Sequence, residues 1–414
     1  MTKIMNPIRK TTTVFQPVKG GTVECHTILQ VTDSSLSFLE QMNCLLDSYQ
    51  YLFENSKLKN SNECLTNEGK GNYQPSDTNE EAVLATTPIF RRFFLSDAAN
   101  QQGILEDALG EHLFCATSIV QQPPLNGTKI ALWVYSADQL IADEGTFQHN
   151  GYTHYWMGGC LPMSRCGIKD LNKNDYLKGN SEYQMRDIFD AYRSELKPME
   201  MTIEENCLRT WIFVRDVDVN YKGIVTGRKN YFGRIGLTPK THFIASTGIE
   251  GQHSDSQVLV QMDACATKGL KKEQIQYLHA KSHLNPTSDY GVTFERGTAI
   301  TYGDRCQIYI SGTASIDNNG EVMHQGDICK QTMRMLENIQ ALLSEADASL
   351  KDIKMAIVYL RDIADAETVT KLFDKEMPNL NYILVNAAVC RPAWLIEMEC
   401  IALREAGNND YAFF

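Results

Sequence analysis

The residues best suited to chemistry lie in the last third of the chain, where Val389-Cys390-Arg391-Pro392-Ala393-Trp394 runs straight into Leu395-Ile396-Glu397-Met398-Glu399-Cys400. A loop bearing a thiol and a guanidinium feeds an apolar, strand-like segment with a carboxylate between Ile396 and Met398. Successive strand residues face opposite ways, so Glu397 and Glu399 share one face while Ile396, Met398 and Cys400 share the other. A carboxylate on a half-buried strand is costly unless it is paired or its pKa rises toward neutrality. Glu397 is therefore the candidate general acid; the plainer alternative is a strand acid paired with a lysine or arginine. Cys390 has no histidine near it in sequence to activate it, and a small apolar wall is its expected role. His279 and His283 are the i,i+4 histidine pair of the chain, but no acidic third ligand accompanies them, so no metal site is expected. Thr313 and Ser315 could donate hydrogen bonds to a ligand or merely cap a sheet edge.

An internal repeat indicates which elements hold these residues. Trp211-Ile212-Phe213-Val214-Arg215-Asp216 matches Ile357-Val358-Tyr359-Leu360-Arg361-Asp362, and Leu259-Val260-Gln261-Met262-Asp263 matches Leu395-Ile396-Glu397-Met398-Glu399. Helical patterns precede each copy, over 183–196 and 326–346, and two strands precede each helix, at 130–135 with 152–157 and at 298–302 with 307–312. Each copy reads β-β-α-β-(α)-β-β, a sheet with helices on one face, which predicts a duplicated α+β fold. The expected division is an N-terminal extension over 1–112, a first unit over 113–270 and a second over 285–414, the extension wrapping the first sheet. Within it, 22–31 and 90–95 read as strands and 36–53 and 101–109 as helices, while the polar stretch 55–80 reads as a surface loop. The first copy has Gln261 where the second has Glu397, so the chemistry is expected in the second.

The composition narrows the partners. Lysines and arginines number 39 against 51 acidic residues, a formal charge of −12, and no basic cluster stands out, which argues against nucleic acid. Twelve cysteines without regular spacing, no apolar leader in 1–10 and no run long enough to span a membrane predict reduced thiols in a cytoplasm.

The C-terminal copy resembles the Rid (YjgF) family in Ile310-Ser311-Gly312-Thr313-Ala314-Ser315, the helix from Gln331 to Leu343, and Ile396-Glu397-Met398-Glu399-Cys400-Ile401-Ala402. That resemblance implies a chorismate-mutase-like fold, commonly trimeric, with ligand clefts between sheets. The family's imine deaminases use an arginine on the strand before the last, and 379–389 contains no basic residue, which counts against that activity.

A second resemblance, to the chorismatases, rests on Gln122-Pro123-Pro124-Leu125, Leu208-Arg209-Thr210-Trp211, Tyr221 with Gly227-Arg228, Ala245-Ser246-Thr247-Gly248-Ile249, Phe294-Glu295-Arg296-Gly297 and Cys390-Arg391-Pro392. It implies cleavage of chorismate to pyruvate and an aromatic acid, with 3-hydroxybenzoate the expected product and no cofactor. It places Glu397 on the catalytic glutamate and Arg209 and Tyr277 near substrate, with Gly297 and Cys390 shaping the pocket. Chorismate carries two carboxylates, which call for planar cations, and Arg209, Arg228, Arg296 and Arg391 are the candidates. The alternatives are an enamine/imine deaminase and a non-catalytic small-molecule binding protein. A monomer and a homotrimer are both compatible with the sequence.

Overall fold

Apolar runs bracketing each helix pair into mixed sheets, and the computed structural model, which describes residues 7–53, 78–110, 114–163 and 180–414, contains three of them. The first unit comprises β1 (Ile8–Phe15), β2 (Glu24–Val31), α1 (Phe38–Phe53), β3 (Thr87–Leu95), α2 (Ala98–Leu109), β4 (Ala116–Gln121) and β5 (Ile130–Ala137). The second comprises β6 (Thr146–His149), β7 (Tyr152–Cys160), α3 (Ser181–Leu196), β8 (Cys207–Val214), α4 (Val217–Arg234), β9 (Ala245–Glu250) and β10 (Val260–Lys268). The third comprises β11 (Ile275–Leu278), β12 (Gly297–Thr301), β13 (Arg305–Ala314), α5 (Ile328–Glu345), β14 (Ile353–Leu360), α6 (Ala366–Glu376), β15 (Tyr382–Asn386) and β16 (Ile396–Glu405).

The strand orders are β1-β2-β5-β3-β4, β6-β7-β10-β8-β9 and β11-β12-β13-β16-β14-β15, one topology repeated with an added edge strand in the third. One parallel pair occurs in each sheet (β3 with β4, β8 with β9, β14 with β15), and α2, α4 and α6 supply the crossovers that parallel strands require. The α+β class holds as expected. The domain boundaries do not. β5 is hydrogen-bonded between β2 and β3, so residues 130–135 complete the N-terminal sheet instead of opening the next unit. The described residues before 112 are thus no extension: they supply β1 to β3 of the first unit, which has a sheet of its own and brings the number of units to three. β5 is buried along its whole length, and a continuously apolar strand does not reveal its neighbours. The stretch 55–80 lies outside the described residues apart from its last positions, where a helix over Thr78–Leu84 begins.

Helices cover the outer face of each sheet. α1 sets Met42, Leu45, Tyr49 and Leu52 against Leu29, Phe93 and Leu132, and α3 sets Met185, Ile188 and Phe189 against Ile212 and Met262. α5, capped by Asp327 accepting from the Lys330 backbone N–H, buries Met335, Leu336, Ile339 and Leu343 at three- and four-residue spacing. The inner faces meet one another. Phe90, Trp133, Trp156 and Trp211 interlock there, with ring centroids 5.2 to 6.4 Å apart.

The units also contact one another in a ring. Gln261 donates to Ile119 O at 2.9 Å between units one and two, Glu295 N to Ile244 O at 3.0 Å between two and three, and Leu125 N to Leu384 O at 3.0 Å between one and three. A single chain therefore encloses three inter-sheet seams. No helix among the described residues is long and apolar enough to cross a membrane.

Candidate active site

The seam between units two and three opens into a narrow cavity of about 40 Å³. Glu397 projects into it from the inner face of β16, where it pairs with Tyr359 of β14 and Ala314 of β13. β13 is irregular between Ile310 and Thr313, and Gly312 sits in that break. A Cβ on Gly312 would lie 2.0 Å from Glu397 Oε1, so only glycine leaves room for the acid. Thr247 of β9 packs beside it, its hydroxyl accepting from Gly312 N at 2.9 Å.

Glu397 is 4% exposed. Burial drives its pKa upward, the neighbouring Glu399 adds to the rise, and Arg296 and Arg209 oppose it; the net result is about 8. At neutral pH this carboxyl is largely a proton donor.

Three guanidinium groups surround the acid. Arg228 stands two helical turns after Tyr221 on α4, so the two share the face that lines the cavity. The opposite requirement falls on Gly227, where a Cβ would come within 2.5 Å of Glu182 O on α3. Arg228 donates to Thr293 Oγ1 at 3.2 Å and to Ser246 Oγ at 3.3 Å. Arg296 is anchored by Asn285, whose backbone and side-chain oxygens both lie 3.1 Å from Nη2. Phe294 separates the two arginines, with guanidinium carbons 5.8 and 5.5 Å from its ring centre. Arg391 stacks on Trp394 at 4.9 Å in the loop that leads into β16. The cavity is thus cationic, with one neutral carboxyl in its wall.

Cys390 also lines it, but burial and the nearby Glu397 push its thiol up to about 12, which makes it a poor nucleophile. It is hydrogen-bonded to Tyr221, whose hydroxyl is raised well above its ordinary range by burial.

Glu397, Arg228, Arg296, Cys390 and Arg391 therefore meet at one place, and three other expected residues do not. Arg209 is 1% exposed behind the wall, with Nη2 2.6 Å from Glu399 Oε2. Its Cα lies on β8, between β10 and β9, with its side chain toward the interior, where a buried carboxylate claims it before any ligand could. Tyr277, on the added edge strand β11, stacks on His242 at 4.8 Å and does not line the cavity. Gly297 is a packing position: a Cβ there would meet Tyr309 O at 3.0 Å and the Ile310 and Leu278 side chains at 3.1 Å.

Thr313 donates to Ser311 O and Ser315 to Met323 O, both at 2.9 Å, so neither hydroxyl donates to a ligand. The His279/His283 pair is not helical. Ala280 between them has φ +47°, and His279 Nδ1 instead stands 3.7 Å from Glu295.

Tyr221, Ser246, Thr247, Phe294 and Trp394 line the cavity without having been singled out as site residues. The seven-residue step from Tyr221 to Arg228 and the Arg391/Trp394 spacing were the available signals.

Residues 298–404 match the family model described as Endoribonuclease L-PSP. The chain is 34% identical over 97 residues to the 3-aminoacrylate deaminase RutC of Acinetobacter baylyi, which covers 23% of this chain and 77% of that protein. It belongs to the RutC/L-PSP family. A RutC family protein of Pyrococcus abyssi is 39% identical over 101 residues, covering 24% of this chain and 79% of that one. Among longer relatives, the 3-hydroxybenzoate synthase of Streptomyces hygroscopicus is 24% identical over 238 residues, covering 51% of this chain and 68% of that protein. A crystal structure of a chorismatase superposes with a TM-score of 0.55 at 16% identity, covering 81% of this chain and 96% of that one, so the two share a fold. The family model covers the third unit, which places Glu397 inside the part of the chain that carries RutC/L-PSP membership.

Proposed function

We propose that this protein cleaves chorismate, releasing pyruvate and leaving 3-hydroxybenzoate. The observation that carries the reading is a carboxyl group with a pKa near 8, buried in a cavity with three arginines. The chorismatase fold and the 3-hydroxybenzoate synthase relative support it.

Arg228, Arg296 and Arg391 provide the forked donors that two carboxylates need, and they orient the enol ether against Glu397. Glu397 protonates the enolpyruvyl methylene, giving an oxocarbenium centre. The oxygen of the C4 hydroxyl attacks C3 while the ether C3–O bond breaks, its electron pair forming the keto group of pyruvate. Opening of the bond from that oxygen to C4, with loss of the C3 hydrogen as a proton, then aromatises the ring and restores the acid. The two products together have the elemental composition of chorismic acid, so no water enters. Attack by water would instead leave a dihydrodiol.

The test is incubation with chorismate, with pyruvate followed by a coupled lactate dehydrogenase assay and the ring product identified by chromatography. Pyruvate with 3-hydroxybenzoate is the expected result; intact chorismate after prolonged incubation would overturn the reading. An enamine deaminase reading follows the RutC relative, but β15 presents no basic residue to such a substrate. Ammonia release from a 2-enamino acid, with chorismate untouched, would favour it.

Two substitutions probe the geometry. Gly312→Ala pushes the Glu397 carboxyl from its position, and a misplacement of about 1 Å lowers turnover about 10²-fold. Cys390→Ala removes the partner of the Tyr221 hydroxyl at the cavity wall. It changes the ratio of 3-hydroxybenzoate to dihydrodiol more than the rate of pyruvate release, as chromatography against the coupled assay would show. An unchanged product ratio would remove Cys390 from the control of product.

A further inference from the structure

The seam between units one and two holds a second cavity, built from the same positions as the first. Gln261 pairs with Phe213 as Glu397 pairs with Tyr359, so the two side chains occupy one register position of the repeated sheet. Thr117 stands in β4 where Ser246 stands in β9, each the second residue of its strand. Gln102 is the fifth residue of α2 as Tyr221 is of α4, and Leu109 the twelfth as Arg228 is. All four first-named residues line this cavity, which at about 200 Å³ is roomier than the about 40 Å³ of the first.

Its chemistry is reversed. Glutamine replaces the acid, leucine replaces a guanidinium, and no lysine or arginine lines the cavity among the described residues. Glu106 contributes a carboxylate at the mouth, held by Gln102 Nε2 at 2.8 Å. Gln261 is 3% exposed, and its Nε2 donates to Ile119 O at 2.9 Å, which fixes the amide orientation. Its Oε1 is buried with no hydrogen-bond partner. A buried acceptor left unpaired is costly, and a ligand donor arriving there gains what the protein does not supply. Leu109, Ile119 and Leu161 provide apolar walls for the rest of such a molecule.

We infer that the cavity between units one and two is a second small-molecule site, for a neutral or cationic ligand whose N–H groups reach Gln261 Oε1 and the Glu106 carboxylate. It excludes the dicarboxylates that suit the other seam, so it does not compete for chorismate.

Benzamidine and benzoate are near-isosteric and opposite in charge, and they make the test. Titrated into the full-length protein by ligand-detected NMR, benzamidine binds and chorismate does not displace it. Gln261→Leu weakens benzamidine binding about fivefold or more, the loss expected of one hydrogen bond. Leu109→Arg restores a guanidinium at the position equivalent to Arg228 and reverses the preference toward benzoate, which loss of folding could not do. Glu397→Gln leaves benzamidine affinity unchanged, because that residue lies in the other cavity. The inference is overturned by absence of benzamidine binding at millimolar concentration, by displacement with chorismate, or by equal affinity in wild type and Gln261→Leu. A benzoate preference unmoved by Leu109→Arg also counts against it. None of these outcomes bears on whether chorismate is cleaved at the first cavity.

Discussion

Replacing Glu397 with glutamine lowers pyruvate release from chorismate about 10³-fold, within the range for loss of a positioned general acid. The substitution keeps size and polarity but cannot deliver a proton. Because the active form is the protonated one, wild-type turnover holds at neutral pH and falls as pH rises through about 8. Stability carries the same signature. Folding raises this carboxyl above its ordinary value of 4.5, so its contribution is fully present below that value, erodes as pH rises, and is lost above about 8. Glu397→Gln, which has no charge to bury, therefore resists urea better than wild type at pH 9 and equally well at pH 4. Equal midpoints at both pH values would show that the carboxylate is well accommodated when ionised.

Arg209→Met destabilises the protein by about 3–5 kcal/mol, the penalty for stranding a buried charge. Glu399 is 3% exposed and is held by Arg209 at 2.6 Å, by the Tyr359 hydroxyl at 3.0 Å and, more distantly, by Arg92 at 3.8 Å. Arg92 in turn lies 2.7 Å from Asp263, and aromatic rings from units one and two surround it. These charges come from all three sheets, so the pair ties the units together where their inner faces converge. The double substitution Arg209→Met with Glu399→Gln loses less stability than Arg209→Met alone, since the stranded charge is gone. Urea unfolding of the four species checks this, and strict additivity of the single effects would show that the pair is not coupled. Losing Arg209 also removes a cation that favours ionised Glu397, so the alkaline limb of the activity profile moves to higher pH.

The sequence revealed two of the three units because their chemistry-bearing strands kept a recognisable pattern. Gln261 and Asp263 sit where Glu397 and Glu399 do, and Arg215-Asp216 echoes Arg361-Asp362. In the first unit the matching positions on β5 are Ala131 and Trp133, so the polar landmarks are gone. One trace remains, Asp97 two residues after Leu95, in step with Asp216 after Val214 and Asp362 after Leu360.

Glu397 was legible because an acid on an apolar strand demands an explanation. Arg209 misled for the same reason: an arginine on an apolar strand needs a partner, and only the fold shows that Glu399 meets that need. Tyr221 and Thr247 became visible as wall residues once α4 and β9 were seen to face unit three across the seam. Residue spacing within one unit could not show a cavity shared by two.

Carbon-13 NMR of protein labelled at the glutamate side-chain carboxyls, titrated from pH 4 to 10 beside Glu397→Gln, tests the central claim most directly. The prediction is one resonance with its midpoint near 8, present in wild type and missing from the variant. Titration of every glutamate in the ordinary acidic range would mean that position 397 carries no proton at neutral pH, and the ether cleavage would lose its donor.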